Sequence, residues 1–287
     1  WAGGKTRLLK KYQAVDVLPN DFDVYVEPFL GAGAMFIWAY EKNPDAKFYL
    51  NDSNESIMNI YRVVRDNVEE FISILDDYSA GFLPRDKEGR KAFYYRLREK
   101  HAYEYADWTA TQEAAALYFL MKTGFNGIWQ INKNTNNRFG TPSGLLNQKD
   151  KVYDKVNVRD WNKALKYASL SSVDFGSTPA HITDDTFVFL DPPYRGSFTQ
   201  YGVDFDDKLQ ESVITHLNSL TARGAYAMMS NRDVGDGFFE SRQGNNRLIY
   251  FDVTYTAGRR KKNEDGTHSA KKAREILMIG EQNGPKN

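Results

Sequence analysis

The chain has 287 residues, enough for one large α/β domain or for a core domain carrying an insertion. Hydrophobic residues make up 41% and aromatics 14%, so a sizeable core can form; 38 basic residues against 38 acidic ones give no net charge, which weighs against an indiscriminate nucleic-acid binder. With no cysteine and four scattered histidines, disulfides, thiol nucleophiles and a metal site are set aside, and no apolar run is long enough to cross a bilayer.

The chain opens on Trp1 rather than Met, so further residues are expected upstream. No signal peptide is visible, and the expectation is a soluble cytoplasmic protein. Trp1-Ala2-Gly3-Gly4-Lys5 is a glycine turn with an aromatic and a cation at its edges. A frayed terminus would account for it equally well. Residues 23–26 read as a strand, Gly31-Ala32-Gly33 as a turn, 34–41 as a helix and 47–50 as a second strand ending at Asn51-Asp52. That order is a βαβ unit.

Gly31 and Gly33 follow the first strand, where glycine permits positive φ and lets a ligand approach the backbone. Asp52 lies nineteen residues beyond Gly33, placed to accept two ribose hydroxyls. This pair alone fits a dinucleotide, S-adenosylmethionine or an ordinary strand-to-helix turn. The third glycine of the dinucleotide fingerprint is replaced by Phe36, and Glu27 beside the turn would repel a pyrophosphate. A carboxylate there suits the cationic end of a methionine moiety. Lys5 could pair with the carboxylate of such a cofactor, and Trp1 could cover it.

The middle of the chain changes character. Ile57, Met58, Ile60, Tyr61 and Val64, then Val68, Phe71, Ile72 and Leu75, recur at helical spacing, and residues 92–99 and 111–121 continue the pattern. Polar loops such as 132–137 interrupt it. Strand-like runs return at 169–173, 186–190 and 225–229, with an amphipathic helix at 206–220 headed by Asp204, Asp206 and Asp207. Residues 247–255 and 275–279 flank a basic loop, as a final antiparallel hairpin would. The expected fold is α/β, a doubly wound, mostly parallel, Rossmann-like sheet. Its catalytic domain takes residues 1–57 and 158–287, and a helical insertion takes 58–157.

Asp191-Pro192-Pro193-Tyr194 follows the apolar strand 187–190. Two prolines stop the strand and stiffen its exit, presenting Asp191 and Tyr194 at the carboxyl edge where open α/β sheets bind ligands. Such a site suits a planar exocyclic amine, whose lone pair is delocalised into its ring, so that the amine is a poor nucleophile. A carboxylate and a backbone carbonyl accepting its two N–H bonds draw the nitrogen towards sp3 geometry and stabilise the developing positive charge. Tyr194 offers a stacking face for a base taken out of the helix. The catalytic candidates are Asp191, Pro192 and Tyr194; the cofactor-binding candidates are Trp1, Lys5, Glu27, Gly31, Gly33, Asp52 and Asp191. A rigid surface turn is the alternative account of the tetrapeptide.

At this point the chain resembles the Dam-type DNA adenine-N6 methyltransferases (class alpha amino-methyltransferases). Trp1 to Lys5, Glu27 to Gly33, Asp52, the helical block, Asp191 to Tyr194, and Ser230-Asn231-Arg232-Asp233 run in the family's order. The resemblance implies methyl transfer from S-adenosyl-L-methionine to adenine N6 in duplex DNA after base flipping, with S-adenosyl-L-homocysteine as product and no metal. It also implies cofactor contact by Trp1, Lys5, Asp52 and Asp191. Gly124-Phe125-Asn126-Gly127-Ile128-Trp129-Gln130 resembles the segment that enters DNA: Phe125 and Asn126 around the flipped adenine, Ile128 on base edges. Arg138 is then expected on the DNA backbone. Gln130 departs from the Arg carried by enzymes reading GATC, and its amide suits adenine better than guanine, so the target is read as relaxed or other than GATC.

Arg259-Arg260-Lys261-Lys262, with Lys271, Lys272 and Arg274, place seven basic residues within sixteen, opposed only by Glu264 and Asp265. We expect Arg259, Arg260, Lys261 and Lys262 to contact phosphates, and acidic residues to gather on the opposite face. A methyltransferase of RNA or of a protein amide, and a catalytically silent binding module, are the competing readings. Intact Gly31, Gly33, Asp191 and Tyr194 argue against the silent module, and the Phe125-Asn126 segment favours duplex DNA over RNA or protein. A phage, restriction-linked or orphan setting is equally compatible with these motifs.

Overall fold

In the computed structural model, the described residues are 6–178, 180–196, 205–255, 261–262, 268–269 and 271–281. The chain begins with α1 (Thr6–Ala14), β1 (Val24–Glu27), α2 (Ala34–Lys42) and β2 (Lys47–Asn51). Helices α3 (Glu55–Asp66), α4 (Val68–Phe82), α5 (Lys87–Tyr103) and α6 (Ala110–Thr123) follow, then a two-stranded hairpin of β3 (Ile131–Asn132) and β4 (Arg138–Phe139), and α7 (Lys155–Leu165). The remainder is β5 (Ser169–Ser171), β6 (Thr186–Leu190), α8 (Asp207–Ala222), β7 (Tyr226–Asp233), β8 (Arg247–Tyr255), the short strands β9 (Lys261–Lys262) and β10 (His268–Ser269), and β11 (Lys271–Ile279).

The main sheet has the order β5-β2-β1-β6-β7-β11-β8. Strands β2, β1, β6 and β7 pair in parallel, and β11 runs antiparallel to both β7 and β8. This is the expected Rossmann-like, mostly parallel α/β fold. From β1 the chain crosses to β2 on one side, whereas β6 leads to β7 on the other. The carboxyl ends of β1 and β6 therefore flank a topological switch point, where such sheets leave a crevice.

The sequence of β6 shows why this strand is central. Phe187 and Phe189 alternate with Val188 and Leu190, and all four are fully buried. Val188 and Leu190 join an aliphatic cluster with Val213, Leu217 and Leu220 of α8. Phe187 meets the rings of Phe22, Tyr25 and Trp38, and Phe189 meets Tyr12 of α1. One face of β6 thus meets aliphatic side chains of α8 and the other meets aromatic rings.

Among the described residues, Asn54–Ser172 form one compact unit, and those before Asn54 and after Ser172 form the other. The first unit is built on helices, and the starts of α3, α5, α6 and α7 are fixed by side-chain caps. Asn54, Asp86 and Asp154 accept from backbone N–H groups of α3, α5 and α7, and Thr109 and Gln112 form a capping box on α6. Its core is a ring cluster of Tyr78, Phe82, Phe93 and Phe119.

Several boundaries differ from the sequence reading. Strand β7 continues through Ser230 to Asp233, because its polar end still pairs with β11. Strand β11 starts at Lys271 rather than 275. The 132–137 stretch, expected as a loop, holds the turn of a hairpin in which Asn136 and Asn137 both take φ of 54°, a conformation asparagine tolerates. The basic stretch is not wholly loop either, since the backbone of β9 pairs antiparallel with β10.

Candidate active site

The turn after β1 is tied to the end of β2. Gly31 donates its N–H to Asp52 Oδ2 at 2.9 Å, and Leu30 N–H reaches the Asn51 carbonyl at 2.8 Å. Buried Asn51 donates to the carbonyls of Pro28 and Val173 and accepts from Val173 N–H. Gly31 and Gly33 take φ of 48° and 65°, and a Cβ added at Gly31 would meet nothing within 4 Å. The turn therefore opens onto free space beside a fixed carboxylate. Behind it, Glu27 is buried and accepts from the Tyr25 hydroxyl at 2.7 Å. Burial first, then the Glu27 carboxylate, hold that phenol well above its usual range, so it stays a donor.

The Asp-Pro-Pro-Tyr segment leaves β6 at the neighbouring strand end, and each of its parts is held. Asp191 Oδ1 accepts from buried Ser230 Oγ at 2.7 Å. The Pro193 carbonyl accepts from Gln210 Nε2 at 2.7 Å. Asn231 completes the frame: its Nδ2 donates to Gln210 Oε1, and its Oδ1 accepts from Arg195 N–H at 3.0 Å. Gln210 and Asn231 are both fully buried, where unmatched amides would cost heavily, so the pair is a rigid spacer between α8, β7 and the loop. The Tyr194 hydroxyl donates to Glu275 Oε2 on β11 at 2.8 Å. Burial, followed by the charges of Asp191 and Glu275, raises this phenol well above its ordinary value.

Arg195 closes the loop. It forms a fork with Asp207 at the start of α8, reaches Asp236 at 2.9 Å, and lies over the Phe238 ring at 3.9 Å. The guanidinium holds both carboxyls below the usual range. Sequence reasoning passed over Asn51, Arg195, Gln210, Ser230, Asn231 and Glu275 as site residues. Adjacency to the tetrapeptide pointed to Arg195, and a glutamate heading the apolar run of β11 pointed to Glu275. Gln210 carried no local signal at all.

In the helical unit, α6 ends at Gly124, where a Cβ would lie 2.8 Å from the Leu120 carbonyl. Phe125 and Asn126 are exposed, and Asn126 takes φ of 51° and ψ of 20°. A frame behind this tip fixes it: Phe125 N–H bonds the Pro142 carbonyl, Thr141 Oγ1 bonds the Ile128 carbonyl, and the Gly140 N–H bonds the Gln130 carbonyl. Ile128 and Gln130 are half-buried. Arg138 is closed on Glu113, lies 3.6 Å over the Tyr105 ring and approaches His101 Nε2 at 3.3 Å. Burial and then the Arg138 charge push the His101 ring down to about 3.

Trp1, Lys5, Arg259 and Arg260 lie outside the described residues, as do the side chains of Lys261 and Lys262. Among the described residues no group of histidine and carboxylate side chains is arranged to hold a metal, and no helix is long and apolar enough to cross a membrane.

A sheet with a glycine turn and an Asp-Pro-Pro-Tyr exit on adjacent strands is the frame of an amino-group methyltransferase. The family model described as D12 class N6 adenine-specific DNA methyltransferase matches residues 1–246, and the chain belongs to this family. Its reaction is methylation of adenine N6 in DNA. The Type II methyltransferase M.MjaIII of Methanocaldococcus jannaschii is 32% identical over 240 residues, covering 80% of this chain and 82% of the relative. The Type II methyltransferase M1.LlaDCHI of Lactococcus lactis is 29% identical, covering 80% and 79%. A DNA adenine methylase of Vibrio cholerae is 28% identical, covering 81% and 80%.

Proposed function

We propose that the protein flips an adenine from duplex DNA and methylates its N6 between Asp191 and the Pro192 carbonyl, using S-adenosylmethionine held by Gly31, Gly33, Glu27 and Asp52. The observation that carries this is the bracing of the Asp191–Tyr194 loop. Ser230 fixes one oxygen of Asp191 and Gln210 holds the Pro193 carbonyl, which braces the loop on both sides of Pro192, and this proposal assigns the Pro192 carbonyl to the amine. The residues present suit the cofactor: the space in front of Gly31 and the carboxylate of Asp52 fit an adenosine ribose. When bound, S-adenosylmethionine supplies an electrophilic methyl on a sulfonium centre. Asp191 and Pro192 accept the two N6 protons' hydrogen bonds, localise the lone pair and oppose the positive charge that develops on nitrogen. Tyr194 presents its ring to the extruded base, with its hydroxyl held aside by Glu275.

Phe125 and Asn126 support the DNA side of the proposal as an exposed, braced tip, with Ile128 and Gln130 behind it on base edges. Residues 58–157 serve target recognition in this proposal. A phosphate contact by Arg138 comes at the expense of its Glu113 pair. Lys5 and Trp1 complete the cofactor site in this proposal, and Arg259, Arg260, Lys261 and Lys262 the phosphate contacts. The test is tritiated methyl transfer to duplex DNA, RNA and protein by the wild-type chain and Asp191→Ala. The variant is expected to lose roughly 10²–10³ in rate while still binding DNA. Unchanged rates, or label confined to RNA or protein, would overturn the proposal.

A further inference from the structure

Arginines around the catalytic loop are mostly neutralised by neighbouring carboxylates. Arg195 bridges Asp207 and Asp236, Arg242 pairs with Glu211, and Arg274 pairs with Asp233. Arg232 is the exception. It forms no ion pair among the described residues; its Nε is buried without a partner, and its NH1 reaches only the Gly196 carbonyl, at 3.3 Å and in an exposed setting.

The position of this charge is what gives it meaning. Arg232 follows Ser230 and Asn231, which hold Asp191 and the Arg195 backbone. Gly196, which it touches, is two residues beyond Tyr194. In the antiparallel register Arg232 stands directly opposite Glu275, so the two side chains leave the same face of the sheet. Yet Glu275 takes the Tyr194 hydroxyl, and Asp191 takes the Ser230 hydroxyl. Each carboxylate accepts from a hydroxyl, and among the described residues neither closes an ion pair on the Arg232 guanidinium, whose NH1 is exposed beside Gly196.

A partly desolvated guanidinium without an anion is costly. Its planar fork suits the paired oxygens of a phosphodiester better than a point charge does. On the functional reading above, on which this rests, the anion that arrives at this edge is the backbone of the target strand. We propose that Arg232 binds a phosphate flanking the flipped adenosine and so sets how that nucleotide seats against Asp191 and Tyr194. It is a substrate-binding residue for the nucleotide backbone, with no part in reading the base.

The experiment uses the full chain and a duplex containing an adenine that the wild type methylates. Binding is measured across a salt series, together with kcat and KM for DNA, for wild type, Arg232→Gln and Arg232→Lys. Arg232→Gln is expected to raise KM about tenfold and to reduce the slope of log affinity against log salt by about one. Arg232→Lys keeps the slope. A duplex with a neutral methylphosphonate at each phosphate flanking the adenine, one at a time, gives an independent arm: one replacement weakens the wild type and leaves Arg232→Gln unaffected. An unchanged slope with the methylphosphonate penalty still present in Arg232→Gln would overturn the proposal and leave Arg232 as a brace for Gly196. Failure of the wild type to methylate any duplex would instead overturn the reading of the site.

Discussion

Tyr194 has two requirements that act on different parts of one side chain. Its ring must be open to a base, and its hydroxyl must have a partner because it is buried. Glu275 meets the second requirement from β11, 81 residues away in sequence. The raised phenol keeps its proton at any working pH, so the hydroxyl always donates and the carboxylate always accepts. Removing the acceptor leaves a buried donor unmatched and frees the ring to turn. Glu275→Ala is therefore expected to lower kcat/KM about tenfold, whereas Glu275→Gln, whose amide oxygen still accepts, costs only a few-fold. Tyr194→Phe keeps the stacking face and loses the anchor, so combining it with Glu275→Ala should add little to either change alone. Fully additive losses in steady-state kinetics would show that the two residues act separately. By the same logic the Gln210–Asn231 pair serves the loop through geometry, holding the Pro193 carbonyl and the Arg195 N–H.

At the scale of elements, what could be read in advance follows from local periodicity. The alternation of Phe187, Val188, Phe189 and Leu190 marks a strand covered on both faces, and two prolines end it; both features are local and both were legible. The glycine turn and Asp52 were legible because the βαβ unit fixes their separation. Strand β7 looked shorter than it is, because Ser230 to Asp233 are polar and their pairing with β11 is non-local. The hairpin of β3 and β4 was missed for a related reason: its asparagines report a left-handed turn, while the strands on either side are two residues each. That hairpin carries a pH-dependent contact. His101 accepts from Arg138 only when neutral, and protonation would set two cations against each other. Its folded pKa, pushed to about 3, lies below the unfolded value of 6.5. The unfolded chain therefore binds the extra proton first, and stability present above the unfolded value is lost as pH falls towards the folded one. Between about pH 7.5 and 5.5 the histidine should remove on the order of 1 kcal/mol. Urea unfolding at both values would measure it, and His101→Gln should flatten that part of the slope; an equal slope in the variant would assign it to other groups.

For the whole molecule, a formal charge of zero means that affinity for DNA must come from where cations sit. Many are already committed. Arg195, Arg242 and Arg274 are closed on carboxylates in the sheet unit, and Arg62, Arg138 and Arg159 in the helical unit. Such pairs organise the fold, and they contribute few counterions to release when a polyanion binds. The basic stretch from Arg259 into the start of β11 differs by density: seven cations fall within sixteen residues, of which Arg274 is closed on Asp233. Lys261 and Lys262 stand in β9, whose backbone pairs antiparallel with that of β10. Each phosphate contact made by these lysines should register in the salt dependence. Replacing Lys261 and Lys262 together by Ala is expected to lower the slope of log affinity against log salt by roughly two, between roughly 50 and 200 mM salt, and equally on any duplex sequence. Joined to Arg232→Gln, the reductions should add, since each cation is assigned its own phosphate. A slope unaltered by the double lysine change would mean that these lysines are only solvated surface charges. Electrostatic binding would then rest on Arg232 and the helical unit.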